Sequence, residues 1–142
     1  MRIGMLLVFA LAAGRAWGQN TVSATVTGFE NNKGSCRACL YNSAEAFNGN
    51  GAAVQCVQAG ISGNKAFISF TNVAAGTYAI SVFHDANNNN KFDTNFLGIP
   101  KEGYGASKND LPFASAPRFP ANKFEVKDKV STNLSIKLRY LF

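Results

Sequence analysis

The chain has one histidine, one tryptophan and two methionines among its 142 residues, and 8 acidic side chains against 14 lysines and arginines. A single His84 and three cysteines leave no second ligand pair at a usable spacing, which excludes a zinc site. The basic residues never form a run of like charge, so nothing in the composition favours a nucleic-acid backbone. The formal charge of +6, reduced to +4 once Arg2 and Arg15 leave with a cleaved leader, reads as a solvated surface. No apolar run reaches the roughly 20 residues of a membrane-spanning helix. Nothing beyond a single turn carries helical periodicity either, so strands must build the core.

What is present begins with a leader. Arg2 supplies a positive charge, Ile3 to Ala13 is almost wholly apolar, and Ala16-Trp17-Gly18 places small residues at the two positions read by a signal peptidase. Cleavage is expected after Gly18, giving a signal peptide over 1–18 and one mature domain over 19–142, with a periplasmic or secreted destination. No cysteine lies near the cleavage point to carry a lipid. Cys36, Cys39 and Cys56 all remain in the mature chain, and in an oxidising compartment they predict one disulfide and one spare thiol. The CxxC pair Cys36 and Cys39 sits in a strand pattern, where residues three apart point to opposite faces. The expected bridge therefore joins either Cys36 or Cys39 to Cys56.

Period-two alternation predicts strands at Thr21 to Thr27 and Ser35 to Tyr41, the second with Cys36, Ala38 and Leu40 inward and Arg37 outward. One helical turn is expected over Ser43 to Phe47, a weaker strand over Ala53 to Ala59, and another over Ala66 to Phe70. Thr77 to Phe83, dense in β-branched and aromatic residues, reads as a central strand that delivers His84 and Asp85 to the rim. Asn122 to Val126 and Thr132 to Tyr140 close the chain. The fold class is all-β: a single antiparallel sandwich of about seven strands, immunoglobulin- or transthyretin-like, with one long functional loop. An outer-membrane barrel would need eight strands of about ten residues, and several of these are too short, so stable membrane insertion is not expected.

Between Asp85 and about Arg118 no strand or helix pattern is sustained, and the four prolines all fall between Ile99 and Pro120. So long a loop in so small a domain is usually functional or disordered. Phe92, Phe96, Leu97, Ile99 and Tyr104 suggest that it is pinned to the sandwich. Within it Asp85, Asn87, Asn89 and Asp93 stand at positions 1, 3, 5 and 9 of a D-x-N-x-N-x-x-x-D run, and Lys91 at position 7 offers its backbone carbonyl. That is the order in which a calcium loop presents oxygens. Asn90 replaces the usual glycine at position 6, and Asn enters the left-handed region readily. Phe96 replaces the bidentate glutamate, leaving Glu102 to close the shell. Calcium is the expected cofactor, with weak affinity; the alternative is an Asn-rich turn bonded to its own backbone.

A catalytic reading of the same segment takes His84 as base, Asp85 or Glu102 to orient it, and Ser107 as nucleophile. On a strand His84 and Asp85 point opposite ways, and no strand leads into Gly105-Ala106-Ser107-Lys108 to make a nucleophile elbow. The expectation is therefore a non-enzymatic module. Its loop presents a surface, with phenyl and tyrosyl groups at Phe96 and Tyr104, to an envelope protein or a polysaccharide.

Gly76 to Asp85, the Asn-rich run through Asp93 and Leu97-Gly98-Ile99-Pro100-Lys101-Glu102-Gly103-Tyr104-Gly105 resemble the signature of the bacterial exported family DUF2141. Pro117-Arg118-Phe119 with the closing strands, and Gly34 to Phe47, resemble that family's C-terminal part and first hairpin. The resemblance spans nearly the whole mature chain. It implies a bacterial protein sent to the periplasm or beyond, with a prealbumin-like sandwich, and it implies no activity.

Overall fold

In a computed structural model, residues 20–141 are described. The expected signal peptide, its cleavage point and Phe142 lie outside them. Strand β1 (Asn20–Thr27) alternates buried Val22, Ala24 and Val26 with outward hydroxyl side chains, and β2 (Ser35–Tyr41) buries Cys36, Ala38 and Leu40. A short wide helical turn (Ala46–Asn50) leads to β3 (Gln55–Ala59), β4 (Ala66–Val73) and β5 (Gly76–Asp85). After the long loop come β6 (Tyr104–Ala106), the single turn α1 (Phe119–Asn122), β7 (Phe124–Val126) and β8 (Thr132–Lys137).

Two sheets face each other, one ordered β4-β1-β8 and the other β3-β2-β5-β6, with β7 paired to the first residues of β5. Their inner faces meet over a core in which Val22, Leu40, Phe70, Ile80, Val82 and Ile136 are almost wholly buried. Burial at about 25 cal/mol per Å² of apolar surface is the main force holding the layers together. The architecture is the expected all-β sandwich. Two details differ from expectation. β8 runs parallel to β1, from Val22 opposite Thr132 to Thr27 opposite Lys137, where an all-antiparallel arrangement was expected. Among the described residues there are also eight strands, because Tyr104–Ala106 forms a short one inside the segment expected to have none.

Register decides the cysteine pairing that spacing left open. Cys39 and Cys56 lie directly opposite on β2 and β3, with Cα atoms 4.1 Å apart, and form the disulfide. Cys36 points the other way into the core, where burial raises its thiol pKa to about 12. Among the described residues no helix is long and apolar enough to cross a membrane.

Candidate functional site

The loop begins where β5 runs out of the sandwich. Alternation along β5 sends Tyr78, Ile80, Val82 and His84 inward and turns Asp85 to the opposite face. Buried His84 is held from both sides: one ring nitrogen meets the Lys33 carbonyl at 2.6 Å, the other the Tyr140 hydroxyl at 2.8 Å. Only a donor can face a carbonyl, so Nε2 carries hydrogen and, in the neutral ring, Nδ1 accepts from Tyr140. The Tyr140 oxygen in turn accepts the Glu30 N–H at 3.0 Å. These bonds tie the first hairpin to the end of the chain.

Asp85 is fully buried and every bond it accepts winds the loop tighter. Arg37, on the same face of neighbouring β2, donates Nε–H to Oδ2 at 2.6 Å. Asn90 N–H donates to Oδ2 at 3.0 Å and Asn89 N–H to Oδ1 at 3.2 Å. Arg37 also donates to the Asn90 side-chain oxygen, and Ser35 to that of Asn88. Asn88 and Asn90 take positive φ, 53° and 64°, the second at the sharp-turn position of a calcium loop. Gly34 makes room for this winding: a Cβ there would lie 2.0 Å from the Asp85 carbonyl oxygen.

Asn87, Asn89 and Asp93 converge beside it. The two amides donate to the Asp93 carboxylate at 2.8 to 2.9 Å, while their oxygens accept the N–H of Asn89 (3.3 Å) and Lys91 (3.0 Å). The Asn89 amide first, then that of Asn87, holds the Asp93 carboxyl below its ordinary range. Lys91 is exposed and contributes its N–H to this winding. Glu102 stands at the loop's far end and clamps it, one oxygen accepting Asp93 N–H at 2.8 Å and the other Ala86 N–H at 3.0 Å. Burial pushes the Glu102 carboxyl up despite those bonds, and the nearby charges of Asp93 and Asp85 add to the rise. The structure thus places positions 3, 5 and 9 together, Asp85 just beneath them, and Glu102 across the neck. Among the described residues no three His, Cys, Asp or Glu side chains form a metal-ligating group by themselves, so amide, carbonyl or water oxygens would have to complete any shell.

Beyond the neck the chain forms a small self-bonded arch. Asn95 N–H reaches the Ile99 carbonyl, Gly98 N–H reaches the Asn95 carbonyl, and the Asn95 side-chain oxygen takes the N–H of both Leu97 and Ile99. Phe92 pins the arch to the outer face of the sheet, its ring centroid 5.4 Å from Phe83 and 6.0 Å from Tyr104. Phe96 stands out as expected at 95 % exposure, whereas Tyr104, expected to stand out beside it, is buried in β6 at 8 % exposure.

The catalytic constellation is not assembled. Ser107 is buried, its hydroxyl donating to the Asn122 carbonyl at 2.5 Å and accepting Ile80 N–H at 3.0 Å. His84 is engaged elsewhere and hydrogen-bonds neither Ser107 nor Glu102. A residue that sequence reasoning passed over does hold the second half of the loop. Asn122, fully buried, accepts the N–H of Lys108 and Asp110 and donates to the carbonyls of Asp110 and Arg118. In sequence it resembles any turn asparagine, and only burial singles it out.

A family model described as "Uncharacterized protein conserved in bacteria (DUF2141)" matches residues 24–133, which take in β2 to β7 and the entire loop. No curated protein and no solved structure matches the chain. The chain belongs to the DUF2141 family of bacterial proteins.

Proposed function

We propose that this is an exported, non-enzymatic binding module in which calcium orders loop 85–105 and the loop presents a ligand surface. One observation carries the reading: Asn87, Asn89 and Asp93 converge while Asp85 gathers the N–H groups of Asn89 and Asn90 around a left-handed Asn90. That is the winding by which a calcium loop brings alternate side chains to one centre. Asp93 and Asp85 supply charge, Asn87 and Asn89 neutral oxygens, Lys91 a carbonyl, and Glu102 the closing carboxylate. Calcium suits such a set because it tolerates irregular shells of oxygen, water included. A cation would also offset the burial that raises the Glu102 carboxyl, and the smaller repulsion from Asp93 and Asp85. Export is supported by the leader pattern and by the Cys39–Cys56 disulfide.

A specific observation favours a second reading, a metal-free accessory domain. Every carboxylate oxygen of Asp85, Asp93 and Glu102 already accepts an N–H. Calcium titration separates the two, read by calorimetry and thermal melting with magnesium as control. At a Kd of about 1 mM, roughly 10 mM calcium would add about 1.4 kcal/mol of stability. Asp93→Asn, at a half-buried position, and Asn87→Ala, at an exposed one, should abolish that gain without touching the Arg37–Asp85 pair. No gain at 10 mM leaves the self-bonded loop as the ligand-presenting form.

A further inference from the structure

Beside the arch lies an apolar groove of about 680 Å³, walled by Phe92, Leu97, Ile99 and Pro100 on one side and Phe113 and Pro117 on the other. Leu97 and Phe113 stand at its mouth, 68 % and 91 % exposed. A contiguous exposed apolar surface of this kind marks a binding site more often than it marks solvent-facing structure. We infer that the groove binds a long-chain carboxylate, its alkyl chain along the apolar walls and its anionic head among the cations of the rim. This rests on the reading of the loop as a ligand-presenting surface, and it does not require the ion.

Two features select that chemistry. The first is charge. Lys91, Lys101 and Arg118 are exposed and each is bonded in sequence to a wall residue: Phe92, Pro100 and Pro117. Among the described residues none of them forms an ion pair, the single one being Arg37–Asp85. Among the described acids next to the walls, Glu102 is buried across the neck and Asp93 is held by the Asn87 and Asn89 amides. Both walls are thus flanked in the chain by exposed cations that form no ion pair among the described residues, which favours an anionic head over a neutral or cationic one.

The second feature is what the arch withholds. The N–H groups of Asn95, Leu97, Gly98 and Ile99 are all bonded within the arch, so this wall cannot pair with an added peptide strand. It offers hydrocarbon and shape alone. The opposite wall, Phe113 to Pro117, makes no backbone hydrogen bond to any described residue. It is free to close on an alkyl chain of variable length.

The test uses dodecanoate below its micellar concentration, in EDTA so that no calcium soap forms, with dodecanol and dodecylammonium as controls. Calorimetry should give one saturable site for dodecanoate and at least about tenfold weaker binding of both controls. Leu97→Asp and Phe113→Asp, both at exposed positions, should abolish binding, and Lys101→Glu with Arg118→Glu should weaken dodecanoate while sparing dodecanol. Absence of dodecanoate binding overturns the inference, as does equal binding of all three amphiphiles. So do a dimer dispersed by Phe113→Asp, which would make a second copy the occupant, and attachment only to anionic phosphatidylglycerol vesicles. Loss of the calcium response with dodecanoate binding intact refutes the ion alone; the reverse pattern refutes the groove alone.

Discussion

Replacing Asn122 by alanine should cost about 2 to 4 kcal/mol. Its side chain makes four hydrogen bonds of 3.0 to 3.2 Å, two accepted from the N–H of Lys108 and Asp110 and two donated to the carbonyls of Asp110 and Arg118. Each is an ordinary neutral bond with a net value of about 1 kcal/mol, so stranding all four partners gives about 4 kcal/mol. Lys108, Asp110 and Arg118 are themselves exposed residues, and water reaching half of those groups sets the lower figure. Against a total of about 5 to 15 kcal/mol the loss is large. With a urea m-value of about 1.5 kcal/mol/M, the unfolding midpoint should fall by roughly 1.3 to 2.7 M. Hydrogen exchange supplies the local readout: the Lys108 and Asp110 amides should lose protection in conditions where the β2 and β5 amides keep theirs. Asn122→Asp should be as damaging as Asn122→Ala, because it sets an oxygen against two carbonyls. A loss under 1 kcal/mol with unchanged exchange at 108 and 110 would refute the assignment of Asn122 as the pin of this segment.

Arg37→Met leaves Asp85 buried without its cation and should destabilise by about 3 kcal/mol in thermal or urea unfolding, with Arg37→Met/Asp85→Asn recovering part of the loss. Burial raises the Glu102 carboxyl, so its contribution to stability is full below the ordinary carboxylate range and is lost as pH rises through the raised value. The stability of Glu102→Gln relative to the natural chain should therefore climb with pH across that interval, and bound calcium should flatten the climb; an unchanging difference without calcium would contradict the cause given. Cys36 should resist alkylation in the folded protein and react once in denaturant, since burial holds its thiol near pKa 12. Cys39→Ser/Cys56→Ser should lower stability by about 3 kcal/mol, the value for a bridge closing a loop of about 17 residues.

How far residues alone disclosed this molecule depended on the range of the interaction. β1 and β2 were legible because period two is written locally, Arg37 was legible as outward for the same reason, and β5 was legible from its density of β-branched and aromatic residues. The left-handed Asn90 followed from the chemistry of asparagine. β6 was hidden because three residues around Gly105 carry no period; Gly105 is there because a Cβ would meet Ile136 at 2.9 Å, a contact from a distant strand. The same applies to Gly103, whose Cβ would sit 2.4 Å from the Tyr140 ring. The disulfide partner needed the β2–β3 register. Glu102 was expected as the carboxylate closing a calcium shell; that it accepts two backbone N–H groups, from Ala86 and Asp93, depends on how the neck folds.

The parallel seam between β1 and β8 also bears on when this protein can exist as a folded object. Val22 lies opposite Thr132, so the first strand to emerge from a ribosome or a translocation pore waits for the last. Until then β1 has only β4 beside it, and the inner face of its sheet lacks Ile136. Contacts so distant in sequence make for slow folding, because the closure entropy of the whole chain is met before they form. Under the export proposed above, β1 would gain its β8 partner only after residues 132–137 had crossed the membrane.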